Sequence, residues 1–161
     1  MIRAYTPETD SNALWELKRQ FELELGGNTG GEEKSTKYRD KVDEVYRDRY
    51  LDWAERCVES DPGCISIAEE GDSVVGYAFV LPENLAMIWD AAVLNEIFIA
   101  KSHRGTGIAD DLMQRVLGTA KEQDLPLDRL LLDVDSDNGR AQAFYNRYGF
   151  EKWGDLVAQS L

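Results

Sequence analysis

The chain has 161 residues, 43% of them hydrophobic and 10% aromatic, a composition that fits a single domain over residues 1–161 with a proper core. A formal net charge of −13 argues against a broad basic face for nucleic acid, and no run of about 18 apolar residues offers a membrane span. The opening MIRAYTPETD lacks the apolar centre of a signal peptide, so the cytoplasm is the expected compartment. Cys57 and Cys64 fit no metal or redox spacing and read as free, buried thiols, and no metal site is expected. The acidity suits a high-salt habitat, although seven lysines remain, and it concentrates cations such as protonated amines near the surface.

IRAY (2–5) alternates and reads as a short first strand, with Thr6 as cap and Pro7 as first residue of a helix. Leu14, Leu17, Phe21 and Leu25 share one face of that helix, and Gly26-Gly27 are expected to stop it. GGNTGGEEKST (26–36) reads as a mobile loop. A second helix is predicted from Ser35 or Thr36 to about Val58, with Tyr38, Val42, Val45, Trp53 and Cys57 as apolar positions. CISIAEE (64–70) and VVGYAFVL (74–81) form a hairpin across EGDS. AAVLNEIFIA (91–100) is a strand interrupted by one charge, Glu96. A helix follows, carrying Ile108, Leu112, Met113, Val116, Leu117 and Ala120. LLLDVDS (130–136) reads as a buried strand. Asp137 or Asn138 then caps a helix bearing Ala141, Phe144, Tyr145 and Tyr148, ended by Gly149. FEKW and LVAQSL are expected as short closing strands. The order β-α-α-β-β-β-α-β-α-β argues a mixed sheet covered by helices on both faces.

HRGTGIADDLM (103–113) places two glycines beside an arginine where a helix must start. Free N–H groups and the positive end of the helix dipole make such a turn an anion site, and glycine lets a phosphate approach bare backbone. Arg104 adds a fork suited to phosphate. The P-loop pattern GxxxxGK[ST] is absent, and the third glycine of the dinucleotide fingerprint is replaced by Asp110. The glycines alone are equally consistent with a tight turn that binds nothing.

RGTGIA (104–109) resembles the R/Q-x-x-G-x-G/A pyrophosphate loop of the GNAT superfamily of N-acetyltransferases, and NGRAQAFYNRYGF (138–150) resembles that family's N-x-x-A-x-x-F-Y-x-x-x-G-F segment. The resemblance is specific over 91–150. It implies an α/β fold with a mixed, mostly antiparallel sheet, a splayed central strand pair and helices on both faces. It further implies acetyl transfer from acetyl-CoA to an amine. Arg104, Gly105, Thr106, Gly107, Ile108 and Ala109 would take the pyrophosphate. Ile97, Phe98 and Ile99 would lie along the pantetheine arm with exposed backbone, Asn138 would contact the cofactor, and Tyr145 would both touch it and protonate the departing thiolate. Glu96 is the candidate base for a protonated amine, acting directly or through water. Burial in an apolar strand would raise its proton affinity. A glutamate on a solvated strand face or paired with an arginine is the alternative for Glu96, core packing for Tyr145, and a plain helix cap for Asn138. His103 reads as passive.

The acceptor is expected to be a primary amine, most simply a small cationic one drawn by Glu32, Glu33, Asp40, Asp43 and Glu44. A protein N-terminus or lysine is the substrate variant, and a non-catalytic acetyl-CoA-binding module is the competing class. A homodimer is common in the family and stays open.

Overall fold

The computed structural model describes residues 1–28 and 31–161. Its elements are β1 (Ile2–Ala4), α1 (Pro7–Asn28), α2 (Gly31–Lys41), α3 (Glu44–Ser60), β2 (Ile65–Glu70), β3 (Ser73–Val80), a short α4 (Glu83–Ala86), β4 (Ala92–Ile99), α5 (Ile108–Glu122), β5 (Leu130–Leu131) and α6 (Gly139–Arg147). The strands form one sheet in the order β1-β2-β3-β4-β5. The first four are antiparallel, and β5 joins β4 in parallel. Two apolar layers flank the sheet. On one face Leu14, Leu17, Ala54 and Cys57 of α1 and α3 pack on Ile65, Ile67, Tyr77, Phe79 and Phe98. On the other, Leu112, Met113 and Val116 of α5 pack on Ala68, Val75, Ala78 and Leu94. The mixed sheet with helices on both faces is the architecture expected.

The start of α1 is fixed as read. The Asp10 carboxylate accepts the Thr6 N–H at 2.8 Å and binds Arg3 of β1 through both guanidinium nitrogens, while Arg3 also reaches Glu69 of β2. The end is not as read. Gly26 and Gly27 lie inside α1, and a Cβ on Gly26 would stand 2.8 Å from the Tyr38 Cβ. Glycine there lets α2 press against α1 and does not end the helix. The expected loop 26–36 is therefore the end of α1 and the start of α2, and its residues 29 and 30 lie outside the described residues. The single predicted helix 35–58 is two helices. Asp43 accepts the Tyr46 N–H at 2.8 Å, and this cap starts α3. Val45, placed on the apolar face by the sequence, is exposed, whereas Tyr50 and Val58 are buried.

The strand expected over 130–136 shrinks to Leu130–Leu131, half-buried, because Asp135 folds into a turn that accepts the Asp137 N–H. The closing strands do not form. Residues 150–161 have no regular structure, with Leu156 and Val157 exposed and Lys152 paired locally to Asp155. A two-residue β5 offers too short an edge to seat them. Cys57 and Cys64 are free and buried as expected, and burial pushes the Cys57 thiol up to about 11. Among the described residues no helix is long and apolar enough to cross a membrane.

Candidate active site

The parallel pairing of β4 with β5 covers only Ala92↔Leu130 and Val93↔Leu131. Beyond Val93 the two strands part, and β4 runs on to Ile99 with one edge open. Backbone direction along that edge follows from alternation. The Ala100 N–H donates to Val75 of β3, so Phe98 also faces β3, and Ile97 and Ile99 turn their N–H and C=O groups to the open side. These are the positions expected beside a long amide-bearing arm. The Phe98 side chain is buried on the α1 face beside Phe21, so only the backbone of this stretch is available at the splay.

A β-bulge in the same strand aims the candidate base. Phe79 pairs with Glu96 and Val80 with Leu94, so Asn95 is an additional, unpaired residue in β4. The bulge shifts the side-chain phase by one. Leu94 points to the α5 layer, and Glu96 two residues later points to the α1–α3 layer. There Glu96 is buried. Lys18 Nζ donates to its Oε2 at 2.6 Å and Tyr77 OH to the same oxygen at 3.0 Å, while Tyr50 OH and Asn95 Nδ2 donate to Oε1 at 3.0 and 3.2 Å. Lys18 also pairs with Glu22 at 2.5 Å, and Glu22 with Lys41 at 2.7 Å. Burial disfavours the Lys18 ammonium, but Glu96 and Glu22 outweigh it and hold Lys18 above the usual lysine range. Burial likewise opposes the Glu22 carboxylate, and Lys18 and Lys41 still hold it below the usual range. Burial and the Glu96 charge push the Tyr50 and Tyr77 phenols well up, so both keep their protons.

The glycine turn follows β4 directly. Lys101–His103 make one tight turn, and Gly105 (φ +78°) and Gly107 (φ +91°) are left-handed. Gly107 caps α5 without a side-chain bond, and the helical ladder opens with Asp111 N–H to the Gly107 carbonyl. The N–H groups of Ile108, Ala109 and Asp110 thus precede the ladder. A Cβ on Gly105 or Gly107 would meet nothing within 4 Å, so the backbone borders open space, and the turn fits a pyrophosphate. Thr106 bonds the His103 carbonyl, and His103 pairs with Glu70, which stiffens the loop. Arg104 does not extend into that space. Its Nε donates to the Ile99 carbonyl at 2.9 Å, its Nη2 pairs with Glu24 of α1 at 2.7 Å, and its guanidinium covers the Phe98 ring. Asp110, which would repel an anion, is engaged by Tyr148 and Arg147.

Tyr145 of α6 lies against Phe144 and Phe150 in the α5 layer, and its hydroxyl has no hydrogen-bond partner among the described residues. Burial pushes its phenol up to about 12, so it carries a proton at neutral pH. Asn138 is a helix cap, its Oδ1 accepting from Ala141 N at 3.2 Å, which leaves its Nδ2 pointing elsewhere. Glu96 and Tyr145 therefore stand on opposite faces of the sheet. A separate cleft of about 670 Å³, lined by Asp61, Asn84, Gln114 and Gln123 among others, touches none of these groups.

Residues 30–150 of the chain, which include the splayed strand and the glycine turn, match the family model for the acetyltransferase (GNAT) family. The chain belongs to that family. The chain is 29% identical over 95 residues to the 5-NmdU N-acetyltransferase of Pseudomonas phage PaMx11, covering 59% of this chain and 62% of that protein. It is 35% identical over 88 residues to an uncharacterised N-acetyltransferase of Mycobacterium bovis, covering 54% of this chain and 52% of that one. The chain thus spans between half and two thirds of the length of these relatives. The PaiA N-acetyltransferase of Thermoplasma acidophilum, solved in complex with coenzyme A, superposes with a TM-score of 0.71 at 19% identity, covering 94% of this chain and 89% of that one. This GNAT fold places Ile97, Ile99, Gly105 and Gly107 along one edge and Glu96 behind it. Lys18, Glu22, Tyr50, Tyr77 and Asn95 complete the surroundings of Glu96 and went unnoticed in the sequence. A signal was present: Lys18 and Glu22 continue the four-residue row of Leu14, so two charges occupy a buried stripe.

Proposed function

We propose that the chain is an N-acetyltransferase that uses acetyl-CoA to acetylate a primary amine reaching Glu96 from the α1–α2 side, a small cationic amine being the first expectation. The splay of β4 from β5 carries this reading, because it joins the glycine turn and Tyr145 on one side to Glu96 on the other. Acetyl-CoA, when bound, supplies an activated acetyl group and a thiol leaving group. Gly105, Gly107 and the first N–H groups of α5 hold its pyrophosphate, and the Nδ2 of Asn138 adds a donor. The outward N–H groups of Ile97 and Ile99 bind amides and polarise an acyl oxygen. Tyr145 holds a proton for the leaving sulfur.

Glu96 draws the proton from the amine. All four of its lone-pair positions are occupied, so access means displacing a donor. Asn95 is the one to yield, since its bond is the longest of the four and it is exposed at the bulge. An amine or an intervening water replacing Asn95 at Oε1 then has a base within reach. Glu96→Gln keeps the shape and removes the charge. The acidic limb of the pH–rate profile should lose its Glu96 component, with partial recovery of activity at high pH, where free amine is abundant. An unchanged profile would assign deprotonation to water or another group.

The choice of a cationic acceptor rests on the acidity of the α2 region. Glu32 and Glu33 are exposed in its first turn, and Glu33 shares its charge with Lys37. Glu32→Gln/Glu33→Gln should raise KM for a cationic amine about twofold to fivefold at low salt, with the effect fading as salt rises. No change at low salt would remove the electrostatic gate. Release of thiol from acetyl-CoA across a panel of small amines, N-terminal peptides and lysine peptides, with mass analysis of the products, tests the whole reading. Binding of coenzyme A without thiol release over that panel would favour a non-catalytic acetyl-CoA-binding module.

A further inference from the structure

Four charges alternate from the bulge of β4 to the surface: Glu96, Lys18, Glu22 and Lys41. Their side chains are 3%, 7%, 4% and 39% exposed, so three are buried and only the last meets solvent. Lys18 is the shared member. Its Nζ stands 2.6 Å from Glu96 and 2.5 Å from Glu22, above the ring of Tyr50 and beside that of Phe21. The other groups facing the pair are Tyr46 and Tyr50 of α3, Tyr77 of β3 and Asn95 of β4, all neutral donors. No other cation among the described residues pairs with Glu96, whereas Glu22 also has Lys41. Two buried carboxylates around a single site do not both ionise without a counter-charge.

We propose that Lys18 is a positioning residue of the acceptor side, the shared counter-ion that keeps Glu96 and Glu22 ionised together and fixes Glu96 as a carboxylate at the bulge. The inference rests on the reading of Glu96 as the group that draws the amine proton. A proton wire through the same atoms is disfavoured. It would require Lys18 to release a proton and Glu22 to accept one, against the direction in which each is held. The network is a static clamp. It holds the Glu96 carboxylate in place at the bulge through Lys18.

The test uses the full chain with Lys18→Met and Lys18→Gln, the second retaining reach and hydrogen bonding should the first fail to fold. Infrared spectra at neutral pH should show a protonated-carboxyl C=O band in both variants and none in the wild type. The band should vanish in Lys18→Gln/Glu96→Gln, because Glu22 keeps Lys41 and Glu96 keeps no cation. Lys18→Arg should show no band. In the thiol-release assay, kcat of the neutral variants should fall roughly tenfold at neutral pH, with recovery as pH rises, an unchanged KM for acetyl-CoA and rescue in Lys18→Arg. A folded Lys18→Gln with no band and a wild-type pH profile overturns the proposal. A band in Lys18→Gln together with wild-type turnover in Glu96→Gln would uphold the counter-ion role and reject Glu96 as the base, which separates the two failures.

Discussion

Gly107→Val should reduce coenzyme A binding by a factor of a hundred or more, an effect of about 3 kcal/mol at 25 °C. Two causes act together. The space before Gly107 is open, so a branched side chain would fill the volume that the phosphates need. Gly107 also sits at φ +91°, where a β-branched residue is strained, so valine would turn the N–H groups of the turn away as well. The strain costs on the order of 1–3 kcal/mol, enough to lower the melting temperature without unfolding a domain of this size. Gly118→Ala is the matched control. It lies in the middle of α5 with free space around it and an ordinary helical backbone. Alanine there should leave affinity unchanged and stabilise the helix by roughly 0.5–1 kcal/mol. Calorimetric titration with coenzyme A alongside thermal unfolding distinguishes loss of the site from loss of the fold. A folded Gly107→Val with near-normal affinity would show that the turn holds no pyrophosphate.

What could be read from the sequence follows from the range of the interactions that matter. The turn at 104–109 was legible because its chemistry is local: two left-handed glycines, a missing cap and the first N–H groups of one helix are all written within six residues. Glycine at position 26 looked like the same punctuation and was not. Its reason is a helix twelve residues further on, whose Tyr38 Cβ leaves no room for a side chain. Arg104 shows the converse. Its place in the loop was legible, but its partner Glu24 is 80 residues away, and that ion pair turns the guanidinium back onto β4. Glu96 stood out as one charge in an apolar strand. Its surroundings did not, because Lys18, Tyr50 and Tyr77 reach it from three elements, and the bulge at Asn95 that selects its face is a matter of register. Simple alternation would have put Glu96 on the side of Leu94, under α5. The missing closing strands have a related cause. LVAQSL has the composition of a strand, but β5 is two residues long and presents no edge to receive it.

Tyr145→Phe should lower kcat by roughly a hundredfold with little change in affinity for coenzyme A. The substitution keeps the ring, and the ring is what packs on Phe144 and Phe150, so the α5 layer should be undisturbed. The hydroxyl is the only atom lost, and it bonds to no described residue, so no internal partner is orphaned. Its role follows from two opposing features. Burial holds the phenol near 12, which guarantees the proton over the working range but makes the group a weaker acid than a thiol, whose ordinary value is about 8.5. Complete transfer to a free thiolate would thus be uphill by about 5 kcal/mol. The hydroxyl contributes by donating a hydrogen bond that strengthens as negative charge grows on the departing sulfur, short of complete proton transfer. The pH dependence has a clear sign: the proton is present below the phenol's pKa, so wild-type turnover should lose its Tyr145 component only as pH approaches 12, and the loss in Tyr145→Phe should be uniform from pH 6 to 9. A poorer leaving thiol should suffer more from the substitution than a better one, because it depends more on the donor. Comparing acetyl-CoA with an acetyl thioester of lower thiol pKa in both proteins measures that difference. Wild-type turnover in Tyr145→Phe, or an equal loss with both donors, would return Tyr145 to a purely structural place in the core.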